Sequence, residues 1–141
     1  MMFRRSGAEL SPCCSNNSVW YLDTRASNHM CRDENLFMEL TKVEAGHVSF
    51  RDASKVAVKG RGTMWYLQKN NRVGEIKDVY YIPNLKSNIL SMGQLMKKGY
   101  SVLMKDRILY LKDKSDRLIA RVEVKNNKIY KLDLKIVQRS A

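Results

Sequence analysis

Apolar runs too short for long helices, each closed by turn residues, recur along this chain and leave little choice of fold. Segments 19–22, 47–50, 55–59, 63–67, 73–82, 100–104, 108–111, 118–124 and 129–132 are rich in Val, Ile, Tyr, Leu and Trp. Most of them alternate apolar with polar residues, which is the period of a strand with one face buried. Between them lie Arg51-Asp52-Ala53-Ser54, Lys69-Asn70-Asn71-Arg72, Asp106-Arg107 and Asn126-Asn127, which predict hairpin turns. Gly60-Arg61-Gly62 predicts a bend, and Pro83 ends the run before it. Residues 34–40 read as a short helix or an irregular crossing anchored by Phe37 and Leu40. One helix is predicted over 91–98: Ser91 and Gln94 have capping-box spacing, Met92, Leu95 and Met96 form a stripe, and Gly99 suits the C′ position. Many short strands with one small helix predict a mainly β fold, a small closed or nearly closed antiparallel β-barrel.

At 141 residues and 44% hydrophobic content, the chain has the size and apolar share for one domain with its own core. Residues 1–17, polar and without hydrophobic period, are expected to be a flexible lead-in, 18–134 the barrel, and 135–141 a C-terminal tail. The net charge of +12 favours polyanions. Its lysines and arginines are scattered singly, which equally serves to keep sheet edges apart, so weak, non-specific nucleic-acid contact is the expectation. Base stacking would need Trp65, Tyr66, Tyr80 and Tyr81 on one exposed face. Neighbours in a strand point to opposite faces, so half of these aromatics are expected in the core, with Met64, Met92, Met96 and Met104 as further core filler.

Three cysteines, Cys13, Cys14 and Cys31, with no secretory signal before them, predict free thiols in a reducing, cytoplasmic setting. No run has the length of a membrane span, so no membrane partner is expected. Cys13, Cys14, His29 and Cys31 are the conceivable zinc ligands. Adjacent cysteines do not chelate, however, and His-x-Cys supplies half a site, so neither metal nor other cofactor is expected.

The stretch where chemistry would sit is Val19-Trp20-Tyr21-Leu22-Asp23-Thr24-Arg25-Ala26-Ser27-Asn28-His29-Met30, an apolar strand cut off by an acid and small polar residues. A carboxylate held at a strand end suits acid–base hydrolysis when two such groups share one proton: the ionised member activates water and the protonated one polarises the carbonyl. The chain has one Asp-Thr turn, so the twin would come from a second copy across a two-fold axis. The structural reading of the same residue is an Asp that caps its own turn through the amides that follow.

Residues 20–30 closely resemble the protease start of copia-type LTR retrotransposon Pol polyproteins, Trp-x-Leu/Ile-Asp-Ser/Thr-Gly-Ala-Ser/Thr-x-His-Met. Gly60-Arg61-Gly62-Thr63, Val79-Tyr80-Tyr81-Ile82-Pro83-Asn84-Leu85-Lys86-Ser87-Asn88-Ile89-Leu90-Ser91 and the stretch from Leu95 to Gly99 extend the resemblance, which spans roughly 18–134. It implies a retropepsin-like aspartic protease barrel, with Asp23 as the catalytic acid, Thr24 as its positioning neighbour, and Ala26 and Ser27 completing the turn. It further implies polyprotein or peptide as substrate, self-association as a two-fold dimer, and association with retrotransposon particles. The stretch after Leu118 looks like the join toward a pre-integrase region. Arg25 departs from the pattern, which has Gly there. Its side chain intrudes where two active-site loops must nearly touch and where Gly supplies special backbone angles, and its guanidinium favours a doubly ionised dyad with no proton to donate. The expectation is a degenerate fragment of a Pol polyprotein, impaired in catalysis; an active homodimeric endopeptidase and a basic nucleic-acid-binding barrel are the alternatives.

Overall fold

The computed structural model describes residues 15–43, 47–49, 55–68, 71–124 and 129–138. Along the chain run β1 (Ser15–Asp23), β2 (His29–Cys31), a 3-10 turn (Glu34–Leu36), β3 (Glu39–Lys42), β4 (His47–Ser49), β5 (Lys55–Ala57), β6 (Gly60–Leu67) and β7 (Val73–Tyr81). They are followed by β8 (Asn88–Ser91), α1 (Met92–Lys97), β9 (Ser101–Lys105), β10 (Ile108–Lys112), β11 (Leu118–Glu123) and β12 (Ile129–Val137). The predicted turns at 51–54 and Asn126-Asn127, the first half of the turn at 69–72, Cys13, Cys14, and residues 1–14 and 139–141 of the expected lead-in and tail lie outside the described residues.

The strands close a barrel. They lie in the order β12-β1-β8-β2-β7-β6, and β6 returns to β12 through Tyr66 and Ile136, giving a six-stranded cylinder with β3 added outside β6. Two junctions, β1–β8 and β2–β7, are parallel. Hairpin spacing does not reveal these, because a parallel pair is formed by segments far apart in sequence.

The ladder extends further than its apolar residues suggest. All nine residues of β1 pair with β12, from Ser15 opposite Val137 to Asp23 opposite Ile129. Residues 15–17 and 135–137 thus belong to the barrel rather than to a lead-in and a tail, since main-chain pairing asks nothing apolar of Ser15, Asn16 and Asn17. Leu118–Glu123 is also structural, as an edge of a three-stranded sheet β11-β10-β9. Gly60-Arg61-Gly62 does not break the chain, but opens β6, whose register with β7 shifts between Gly62 and Met64. A Cβ at Gly62 would collide with the Glu39 carbonyl oxygen, so the missing side chain is what lets β3 dock.

Trp20, Leu22, Met64, Tyr66, Leu90, Leu132 and Ile136 fill the centre, joined by Leu109, Leu111 and Val122 from the three-stranded sheet. A smaller cluster, Met30, Val58, Ile82 and Leu85, packs with Ala26, Val43, Tyr80 and Ile89. Phe37 is buried edge-on against Tyr81, ring centroids 6.0 Å apart. The Tyr66 ring is buried over Gly74, and its hydroxyl meets that of Tyr100 at 3.1 Å, so no stacking platform forms from it. Of the methionines read as filler, Met64 is buried, but Met96 and Met104 are exposed. Met96 lies on the outer side of the two-turn helix, and Met104 on an edge strand where the buried face of its sheet runs out.

Candidate active-site loop

Asp23 is the last residue of β1, flanked in register by Ser91 of β8 on one side and Ile129 of β12 on the other. The residue is half-buried, and Oδ1 accepts an exposed hydrogen bond of 2.8 Å from the Arg25 backbone N–H. This is the Asx turn that a local capping role requires, and it also fixes the direction of the carboxylate. Thr24 and Arg25 are exposed at the tip. Outside glycine, the described residues with positive φ are Asn71, Asp78, Asp106, Arg107 and Asp116. Arg25 is therefore accommodated without a left-handed backbone, and the expected conflict of backbone angles does not arise in this conformation.

The rest of the loop is fastened to the start of α1 through Ser91 and Gln94. Ser91, fully buried, donates from Oγ to the Ala26 carbonyl at 2.7 Å and accepts at Oγ from the Gln94 N–H at 3.1 Å, which caps the helix. Its own N–H donates to His29 Nδ1 at 2.9 Å. The predicted capping box is thus half formed. The Gln94 side chain does not turn back to the Ser91 N–H, which His29 already occupies; its Nε2 donates instead to the Ser27 carbonyl at 3.0 Å. Three anchors therefore join a loop at 26–29 to a helix start at 91–94, two stretches that sequence reading treats as separate motifs.

His29 is 3% exposed, and burial pulls its pKa down to about 4, with Asp78 opposing and Lys98 assisting. Since Nδ1 accepts a backbone N–H, the imidazole is neutral with its proton on Nε2. Cys31 is buried in the core, where desolvation pushes its thiol up to about 12. Its Sγ lies 3.4 Å from both the Asp33 carbonyl oxygen and the Asp33 nitrogen. The Nδ1 lone pair of His29 is already taken by the Ser91 N–H, and no group of three metal-ligating side chains occurs among the described residues. The role of Ser91 and His29 as the fastening of the loop is what sequence reading misses; the signal for it is that both stand in the stretches that carry the retrotransposon resemblance. No helix among the described residues is long and apolar enough to cross a membrane.

This arrangement offers one oriented carboxylate at a strand end, on a loop braced from behind, with an exposed cation two residues further on. Comparison with known proteins adds the family. The family described as Pol polyprotein, beta-barrel domain matches residues 20–100, which include both the Asp23 loop and the Ser91 anchor. A putative transposon Ty5-1 protein of Saccharomyces cerevisiae is 27% identical over 78 residues, covering 55% of this chain and 50% of that protein. The chain thus spans about half the length of that relative. No solved structure matches. With more than half of its length in the match and a closed β-barrel as its fold, the chain belongs to the Pol polyprotein β-barrel domain family.

Proposed function

We propose that this domain is a retropepsin-like, copia-type barrel in which Asp23 occupies the position of the catalytic acid and Arg25 impairs hydrolysis. The observation that carries the reading is the Asp23 carboxylate, held at the end of β1 and aimed by the Arg25 N–H on a loop that Ser91 and His29 hold in place. Catalysis would require a second Asp23 within hydrogen-bonding distance, from another copy of the chain on a two-fold axis, so that one proton is shared between the two. Arg25 would work against that approach in two ways. Two exposed guanidinium groups would be brought together at the axis, and their positive field would favour loss of the shared proton. What remains of the ancestral role is binding of polyprotein or assembly with it, in the cytoplasm or in retrotransposon particles.

The test is peptide cleavage at about pH 5, within the range where carboxylate dyads work, on the unmodified chain, Arg25→Gly, Asp23→Ala and the double variant. Cleavage is expected from Arg25→Gly alone. A chain that cuts unmodified and stops at Asp23→Ala would end the claim of impairment. An inactive Arg25→Gly that still folds would remove Arg25 as the cause.

A further inference from the structure

Among the described residues, β9 is a free sheet edge that lacks the usual protection. β9 is the outer strand of the three-stranded sheet, regularly paired with β10 on one side. Leu103 is 52% and Met104 50% exposed, two consecutive residues that point to opposite faces. Two other free edges differ: β3 exposes Glu39, Thr41 and Lys42, and β11 exposes Arg121 and Glu123 beside Leu118. Charges of that kind discourage edge pairing, whereas the charge of β9 is confined to Lys105 beside its turn and 101–104 carries no charge, Pro, Gly or bulge.

The geometry of the open edge follows from its turn. Asp106 and Arg107 have φ of 53° and 64°, a two-residue type I′ loop in which the flanking pair, Lys105 and Ile108, exchanges both hydrogen bonds. Counting back by twos, Leu103 bonds with Tyr110 and Ser101 with Lys112, so the N–H and C=O groups of Val102 and Met104 point away from β10. Neither residue has another backbone partner among the described residues.

We propose that β9 pairs with β9 of a second copy of this chain, antiparallel about a two-fold axis through Leu103, to join two three-stranded sheets into one of six strands. The edge is self-complementary in that register. Val102 and Met104 of one copy exchange main-chain hydrogen bonds with Met104 and Val102 of the other. Leu103 meets its own counterpart in a close, non-hydrogen-bonded pair. Lys105 stands opposite Ser101, so no like charges face each other across the axis. This surface is separate from Asp23, and the proposal does not depend on the proteolytic reading.

Cross-linking tests it, in a background with Cys13→Ser and Cys14→Ser, Cys31 being buried. Leu103→Cys places two thiols on the axis, while Lys105→Cys places them about 13 Å apart along the strands. Leu103→Cys is expected to form disulfide dimers under mild oxidation at least about 10-fold faster than Lys105→Cys, because thiols so far apart cannot bridge. Leu103→Lys, at an exposed position that tolerates the change, is expected to abolish the dimer seen by sedimentation across a concentration series while the circular dichroism spectrum is kept. Equal cross-linking at both positions, a dimer that survives Leu103→Lys, or a chain monomeric up to its solubility limit would each overturn the proposal. Binding of an extended peptide to β9 without self-association would overturn it as well.

Discussion

Ser91 uses its backbone N–H, its hydroxyl proton and its hydroxyl oxygen, and each of the three bonds crosses from one sequence motif to another or starts the helix. The first of them depends on the charge of a neighbour, since His29 can accept at Nδ1 only while neutral. Below about pH 6.5 the unfolded chain takes up a proton that the folded protein refuses until about pH 4. The contribution of neutral His29 is therefore complete above the ordinary imidazole value and is lost as the pH falls from there toward 4. The loss amounts to about 3 kcal/mol at most. Asp78, held below the usual carboxylate value by hydrogen bonds from Arg61, gives up its share only at more acidic pH. Urea titrations of the unmodified chain across this window are expected to show the fall, and His29→Gln a flatter profile. Equal slopes in the two proteins would refute the assignment. A domain that loosens its Asp23 loop in mild acid would also narrow the pH range in which any revived Arg25→Gly dyad could operate.

Among the elements, β6 shows how a glycine decides an architecture that its alternation alone leaves open. Gly62 reads as a bend, yet its function is close approach: it leaves the space into which the Glu39 carbonyl of β3 fits. Gly62→Ala is expected to cost about 2–3 kcal/mol, as overpacking against an atom that cannot rotate away. Gly93, in α1, has the Ser91 Oγ at 3.9 Å as the nearest atom to an added Cβ. There Ala replaces the poorest helix former but proline, and a gain of about 0.5 kcal/mol is expected. Denaturant melts of the two variants check both signs, and a neutral Gly62→Ala would show that β3 can shift at little expense. Element types were legible because each is set by local period and punctuation: the helix by Ser91 and Gly99, β7 by its alternation up to Tyr81. Partners were not. The parallel junctions and the second destination of Gln94 arise from groups far apart in the chain.

At the scale of the whole molecule, closure rests on the last strand. β12 contributes Tyr130, Leu132, Leu134 and Ile136 to the core and bridges β1 to β6, although it lies beyond the 20–100 stretch that the family match covers. A chain ended after Val124 is expected to lose cooperative unfolding, as β1 would be left with an open edge and β6 would lose the closing pair at Tyr66. A sharp thermal transition in that truncation would mean the remaining strands make a sheet that is stable unclosed. The sequence by itself determined the class of fold, the place of helix α1 and the residue at which chemistry would be sought, because strand period, caps and an acid at a strand end are local and chemical. Tertiary structure alone decided that the cylinder closes through β12, that Arg25 sits in its turn without a strained backbone, and that Ser91 and His29 brace the Asp23 loop. Those outcomes depend on which distant main-chain groups find each other, and no local preference encodes that choice.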